Sequence, residues 1–100
     1  MDIRELQVRA LELSDGDAHV SGVSLTGKIM FLYNLYVPEG DRGKGIGTAL
    51  IFRAIEAAKT LGYTQIDLFV DPKNRIAISI YDQLGFSMVD EVHYLGLEVL

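Results

Sequence analysis

The order of apolar and polar residues along this chain of 100 residues predicts strands in its first part. Residues 3–13, 18–25 and 29–37 are runs rich in Val, Ile, Leu and aromatic residues, separated by the turn-forming stretches "SDGD" and "TGK". The third run, "IMFLYNLYV", is so dense in apolar side chains that it predicts a central strand. Pro38 ends this strand, because proline has no amide hydrogen to donate to a sheet.

The period of the apolar positions then changes from that of a strand to that of a helix. Apolar or small residues recur at intervals of three and four, which places on one face Gly47, Ile51, Ala54, Ala58 and Leu61. Gly62 is expected to end this helix, since glycine readily adopts the left-handed conformation found just past a last turn.

The remaining chain predicts one more strand, a second helix and two short strands. The strand covers residues 65–70, and Asn74 can cap the helix that follows. The buried face of that helix is expected to hold Ala77, Ile80, Tyr81 and Leu84, and Gly85 ends it. Short strands are predicted at 86–89 and 93–100, around an acidic turn at 90–91.

This order of elements predicts a single domain over residues 1–100. A strand, a crossover helix and a second strand form a parallel pair, whereas the hairpins are antiparallel. The fold class is therefore α+β, with a mixed, mostly antiparallel sheet flanked by two helices.

Composition narrows the class of protein and the kinds of site it can hold. Hydrophobic residues make up 49% of the chain and charged residues 23%, which is typical of a folded globular domain. Cysteine is absent and only two His are present, so we expect no disulfide and no metal site. The charged start Met1-Asp2-Ile3-Arg4-Glu5 is unlike a signal peptide, and the apolar runs are too short to span a bilayer. We therefore expect a cytoplasmic protein with no membrane partner.

Charge is distributed unevenly along the chain. The 14 acidic and 9 basic residues give a net charge of −5, which argues against direct nucleic-acid binding. Basic residues lie at the entrances of both predicted helices, at Arg42, Lys44, Lys73 and Arg75, and none follows Arg75. A solvated surface with chance clustering explains this equally well.

The glycine-rich loop "PEGDRGKGIGT", residues 38–48, precedes the first helix. The start of a helix has unpaired amides and a partial positive charge, and glycines allow an anion to approach them. The spacing fits neither the Walker phosphate loop nor the dinucleotide-binding fingerprint. The alternative is a glycine-rich turn that binds nothing.

The spacing Arg42-x-x-Gly45-x-Gly47 resembles the acyl-CoA signature of the GNAT superfamily of N-acetyltransferases. Downstream, "NRIAISIYDQLGF" is similar to the N-x-x-A-x-x-x-Y-x-x-x-G-F element of that family. Together the two motifs cover roughly residues 30 to 90. The resemblance implies the GNAT acyltransferase fold, in a short form that lacks the N-terminal strand and helices that usually wall the acceptor site.

The resemblance also implies a function and a set of binding residues. Acetyl-CoA is the expected acyl donor, without a metal, and a primary amine attacks its thioester directly. The amine belongs to a protein lysine, a protein N-terminus or a small molecule. The residues expected to bind acetyl-CoA are Leu35, Tyr36, Val37, Arg42, Gly43, Lys44, Gly45, Ile46, Gly47, Thr48 and Asn74.

Within this set, the resemblance implies different roles for different residues. The backbone of 35–37 would pair with the pantetheine arm, and the Val37 amide would donate to the developing oxyanion. Asn74 would lie beside the pantetheine, cap the second helix, or do both. Tyr81 is the expected catalytic residue, as proton donor to the departing thiolate; its alternative is an ordinary core tyrosine.

The general base is not identified by sequence. The position of the glutamate used by many family members corresponds to Phe31, and no carboxylate occurs between Lys28 and Val37. Water held by Tyr33 or by backbone carbonyls, or a side chain such as Asp67 or His93, are the alternatives. We therefore assign no base.

The absence of the walling elements predicts an open acceptor side. Such a site suits a large acceptor, for example a basic protein attracted by the acidic end of the chain, or a pocket completed in a homodimer. Two other hypotheses remain: a module that binds CoA or acetyl-CoA without turnover, and a protein-interaction domain that has lost the ligand.

Overall fold

The computed structural model describes residues 10–89 and 94–99. Six strands lie in the order β1 (Ala10–Asp15), β2 (Ala18–Ser24), β3 (Ile29–Tyr36), β4 (Gln65–Phe69), β5 (Ser87–Met88) and β6 (Tyr94–Glu98). Helix α1 (Ile46–Thr60) lies between β3 and β4, and helix α2 (Arg75–Gln83) lies between β4 and β5. A short 3₁₀ turn covers Glu39–Asp41.

The strands form one sheet in the order β1-β2-β3-β4-β6-β5. Among the described strands, only the β3–β4 pair is parallel, because α1 returns the chain to the end of the sheet at which β3 began. The other pairs are antiparallel. The predicted α+β class and the mixed, mostly antiparallel sheet are confirmed.

Both helices pack on one face of the sheet. That face carries alternate residues of the two central strands, which are buried against α1: Met30, Leu32, Ile66 and Leu68. From α1 the buried residues are Leu50, Ile51, Ala54, Ile55 and Ala58. The prediction that Leu61 belongs to this face is wrong: its side chain is 45% exposed, because the helix ends at Thr60 and the chain turns away at Gly62.

The opposite face carries the intervening residues of the same strands. Phe31 and Tyr33 of β3, and Asp67 and Phe69 of β4, point to this side, and Tyr94 of β6 pairs with Phe69. Phe69 is 59% exposed. We call this the aromatic face, and neither α1 nor α2 covers it in the described part of the chain.

Most predicted boundaries lie within one or two residues of the observed ones. The strand predicted at 3–13 is seen from Ala10 onward, and its earlier residues lie outside the described ranges. The acidic turn at 90–91 and His93 also lie outside them. Neither described helix is long and apolar enough to cross a membrane.

Candidate active site

The central strands separate halfway along their length. Pairing between β3 and β4 runs from Ile29↔Gln65 to Leu32↔Leu68 and stops there, although β3 continues to Tyr36. The backbone of β3 beyond Leu32 therefore has no partner on its β4 side within the described sheet. This exposed strand edge is available to another extended chain.

A bulge at Asn34 accompanies the separation. On β2 the pairing advances from Ser21 to His19, whereas on β3 it advances from Tyr33 to Tyr36, so β3 carries one extra residue. Asn34 has φ 55°, in the left-handed region that asparagine tolerates better than most residues. The bulge bends β3 away from β4.

A cavity of about 240 Å³ lies between the separated strands. Its walls come from both faces of the sheet, from both helices and from the segment between β4 and α2, and they comprise Val20, Leu32, Tyr33, Asn34, Leu35, Ile51, Leu68, Phe69, Val70, Asp71, Asn74, Ala77 and Tyr81. Of the residues predicted for the site, Leu35, Asn74 and Tyr81 line this cavity, whereas those of the glycine loop do not.

The glycine loop presents bare backbone at the start of α1. Gly43 and Gly45 have φ 79° and 80°, and a Cβ built on either would meet nothing within 4 Å. No side chain caps the helix, and the amides of Ile46, Gly47 and Thr48 have no hydrogen-bond partner in the described residues. Open space above unpaired, positively polarised amides fits an anion such as a diphosphate.

The basic residues of the loop have partners that shape it. The Arg42 Nε donates to the Val37 carbonyl at 3.0 Å and so ties the loop to the end of β3. Lys44 Nζ lies 3.6 Å from the Asp41 carboxylate, in an exposed pair that solvent screens strongly. Both cations remain close to the helix start.

The predicted strand residues lie where β3 still pairs with β2 but no longer with β4. Leu35 lines the cavity, Tyr36 is the last residue of β3, and Val37 follows it. The Val37 amide has no hydrogen-bond partner among the described residues. This free amide, directly after the end of β3, can donate to an oxygen that gains negative charge.

Asn74 caps α2 and also lies in the cavity wall. Its Oδ1 accepts a hydrogen bond from the Ala77 amide at 3.1 Å, which confirms the predicted cap of α2. The same residue also lines the cavity. One residue therefore fixes the start of α2 and contributes to the wall.

The Tyr81 ring is buried, but its hydroxyl is directed to the cavity. The side chain packs edge-on against Phe86, with ring centroids 5.5 Å apart. Its hydroxyl has no hydrogen-bond partner in the described chain, where every fully buried polar side-chain atom has one. The hydroxyl must therefore be accessible from the cavity that Tyr81 lines. Burial raises the pKa of Tyr81 above its usual 10.0, so the phenol stays protonated at neutral pH.

Two features of the site were not anticipated by the sequence analysis. Asn34 was not singled out there, although an asparagine in an apolar run is a signal for a bulge. Asp71 lines the cavity, and its carboxylate accepts from the Lys73 amide at 2.9 Å. Within 10–89 and 94–99, no group of three or more His, Asp or Glu could hold a metal ion.

Sequence comparison finds relatives that are named as N-acetyltransferases. Over 55 residues the chain is 46% identical to an uncharacterized N-acetyltransferase of Methanocaldococcus jannaschii, a match that covers 55% of this chain and 24% of that protein. Over 60 residues it is 38% identical to the mouse thialysine N-epsilon-acetyltransferase, covering 60% of this chain and 35% of the relative. The chain thus spans about a quarter to a third of the length of these relatives.

Solved structures share the fold. The N-acetyltransferase PseH of Campylobacter jejuni, in complex with acetyl coenzyme A, superimposes with a TM-score of 0.70 at 25% identity, over 81% of this chain and 58% of PseH. The model of the acetyltransferase (GNAT) family matches residues 10–86, which include the separated strands, the glycine loop and α2. The chain belongs to the acetyltransferase (GNAT) family.

Proposed function

We propose that this chain binds acetyl-CoA and transfers its acetyl group to a primary amine. The observation that carries the proposal is the cavity between β3 and β4, which has the Tyr81 hydroxyl in its wall, together with the uncapped amides at the start of α1. Family membership and the acetyl coenzyme A in the PseH structure support the same function.

The chain offers groups that complement the diphosphate and the pantetheine arm of the donor. The amides of the loop and of the first turn of α1 would hold the diphosphate, with Arg42, Lys44 and the Thr48 hydroxyl beside them. The free edge of β3 at Leu35, Tyr36 and Val37 would pair with the amide groups of the pantetheine arm, with Asn74 at the wall. When bound, the donor supplies an acetyl group activated as a thioester.

Tyr81 would act as the acid of the reaction. The departing thiolate needs a proton or a hydrogen-bond donor, and a phenol that stays protonated at neutral pH can provide either. The Val37 amide would stabilise the oxygen that gains charge as the amine attacks.

The acceptor is proposed to be an alkylamine that carries a positive charge before reaction. The net charge of −5 attracts such a molecule, whether it is a small amine or a lysine or N-terminus of a basic protein. The mouse relative is named for thialysine, a small alkylamine. We also propose a cytoplasmic location and a homodimer for this protein.

One observation favours a second candidate, a module that binds acetyl-CoA without turnover. On β3 the aromatic face carries Phe31 and Tyr33 and no carboxylate, so that strand provides no base. Binding and catalysis must therefore be tested separately.

Thermal unfolding with CoA and acetyl-CoA, followed by thiol release with amines, separates these functions. A ligand at a hundred times its Kd stabilises the folded state by about 2.7 kcal/mol, so Tm is expected to rise by roughly 10 °C or more. Thiol release is then measured with thialysine, lysine and Lys-containing basic peptides. No Tm shift would contradict both candidates, and a Tm shift without thiol release would favour the module.

A further inference from the structure

Strand β4 carries a buried carboxylate on the aromatic face. Its neighbour β3 carries no carboxylate on that face. Asp67 of β4 is 3% exposed and pairs in register with Phe31. Because the strands are parallel and in register, the two side chains point to the same face. The carboxylate thus lies beside Phe31 on the side away from the helices.

Asp67 is held by neutral donors and not by a cation. The Tyr94 hydroxyl donates to its Oδ2 at 2.5 Å, and the Gln65 amide nitrogen donates to its Oδ1 at 2.7 Å. No Lys or Arg forms an ion pair with it among the described residues. A buried carboxylate without a cation is costly for stability, which suggests a role other than holding the fold.

Tyr94 connects this carboxylate to the cavity. It pairs in register with Phe69, and the centroids of their rings are 4.7 Å apart. Phe69 itself lines the cavity. Tyr94 therefore packs against a residue of the cavity wall, and its hydroxyl is hydrogen-bonded to Asp67.

The aromatic face is the side of the cavity that the two helices leave exposed. The other face of the sheet is filled by the apolar contacts of α1 and α2, whereas Phe69 and Tyr33, which line the cavity from the aromatic face, are 59% and 39% exposed. Tyr81 lies on the helix side of the cavity and Tyr94 beside its aromatic side. Tyr81 and the exposed aromatic lining are thus on opposite sides of the cavity.

Building on the proposed function, we propose that Tyr94 and Asp67 together accept the proton that the amine loses during acetyl transfer. The alkylammonium first loses one proton to solvent, and the neutral amine then forms the C–N bond to the acetyl carbon, which makes its nitrogen cationic again. That nitrogen gives a proton to Tyr94 Oη while the Tyr94 hydroxyl proton moves to Asp67 Oδ2. The C–S bond breaks, and the sulfur takes the proton of Tyr81. Asp67 then releases its proton to solvent, and Tyr81 regains one.

Two nearly isosteric variants test this relay. Asp67→Asn and Tyr94→Phe are each expected to lower kcat for thialysine about 100-fold or more, the usual contribution of a positioned base. The Kd for acetyl-CoA, measured by titration calorimetry, is expected to stay within twofold. The matched control is Glu98→Gln, because Glu98 is an exposed carboxylate on the same face of β6 that pairs with Gln65 and not with Asp67. Its kcat is expected to be unchanged.

The double variant distinguishes a relay from two independent contributions. Because the two residues would act as one unit, the combined loss is expected to be no larger than either single loss. Losses that multiply, or a kcat within threefold of wild type in either variant, would overturn the relay. Equal losses in kcat and acetyl-CoA affinity would also overturn it, in favour of a structural role.

The outcome separates the relay from the function on which it rests. If the wild-type protein binds acetyl-CoA but releases no thiol with any amine, the proposed transfer and the relay are both wrong. If transfer persists in Asp67→Asn and Tyr94→Phe, only the relay is wrong.

Discussion

At the scale of single residues, Tyr81 combines burial with an unpaired hydroxyl. The ring is 6% exposed, yet its oxygen has no protein partner in the described chain and faces the cavity. A core tyrosine with only a structural role normally has a hydrogen-bond partner for its hydroxyl. The geometry therefore favours the donor role over the core alternative that the sequence left open.

Tyr81→Phe is expected to lower kcat about 100-fold and to change the free energy of unfolding by less than about 0.5 kcal/mol, because no protein hydrogen bond is lost. Urea unfolding and steady-state thiol release measure the two effects. A variant that transfers acetyl groups at the wild-type rate would show that Tyr81 is not the donor.

The raised pKa of Tyr81 predicts how stability and kcat depend on pH. Burial raises the pKa of Tyr81 above 10.0, so the folded state holds this proton more tightly than the unfolded chain does. The resulting stabilisation is complete below pH 10 and is lost as the pH rises through the higher, folded-state pKa. The ratio of wild-type to Tyr81→Phe kcat is likewise expected to stay constant below pH 10 and to fall only above it. A ratio that falls between pH 7 and 9 would contradict a raised pKa.

At the scale of elements, the bulge in β3 creates the site. A regular β3 would continue to pair with β4 beyond Leu32, and the cavity and the free strand edge would be absent. The bulge depends on one residue in a left-handed conformation, Asn34. Sequence periodicity predicted the strand correctly but not this interruption, because one inserted residue scarcely disturbs an apolar run.

Substitutions of Asn34 test this dependence. Asn34→Val is expected to cost about 1–2 kcal/mol of unfolding free energy, since a β-branched residue is strained at φ 55°. Asn34→Gly has no such strain and serves as the control, with a change within about 0.5 kcal/mol. Denaturant unfolding provides both values. Equal stability of the two variants would show that the left-handed conformation is not required.

At the scale of the whole molecule, the sequence predicted the fold class and both helices, and three of the predicted site residues line the cavity: Leu35, Asn74 and Tyr81. These features follow from local signals: apolar period, glycine spacing and the cap at Asn74. The exposure of Leu61 and the contact of Tyr94 with Asp67 could not be predicted in this way. Both depend on where the chain turns after α1 and on which strands become neighbours, which are properties of the tertiary arrangement.

The central claim is that bare amides at the start of α1 hold the diphosphate of CoA, and two matched glycine variants test it most directly. Gly45 and Gly62 both have positive φ, 80° and 92°, with open space where a Cβ would lie. Alanine at either is therefore expected to cost a similar 1–2 kcal/mol of folding free energy. Only Gly45 lies next to the unpaired amides, whereas Gly62 follows the far end of α1.

The measurement is the Kd for CoA of the folded variants by titration calorimetry. Gly45→Ala is expected to bind at least tenfold more weakly than wild type, because hydrogen bonds to a charged group contribute about 1.5–3 kcal/mol each. Gly62→Ala is expected to bind within twofold of wild type. Unchanged affinity in Gly45→Ala, or an equal loss in both variants, would contradict the account.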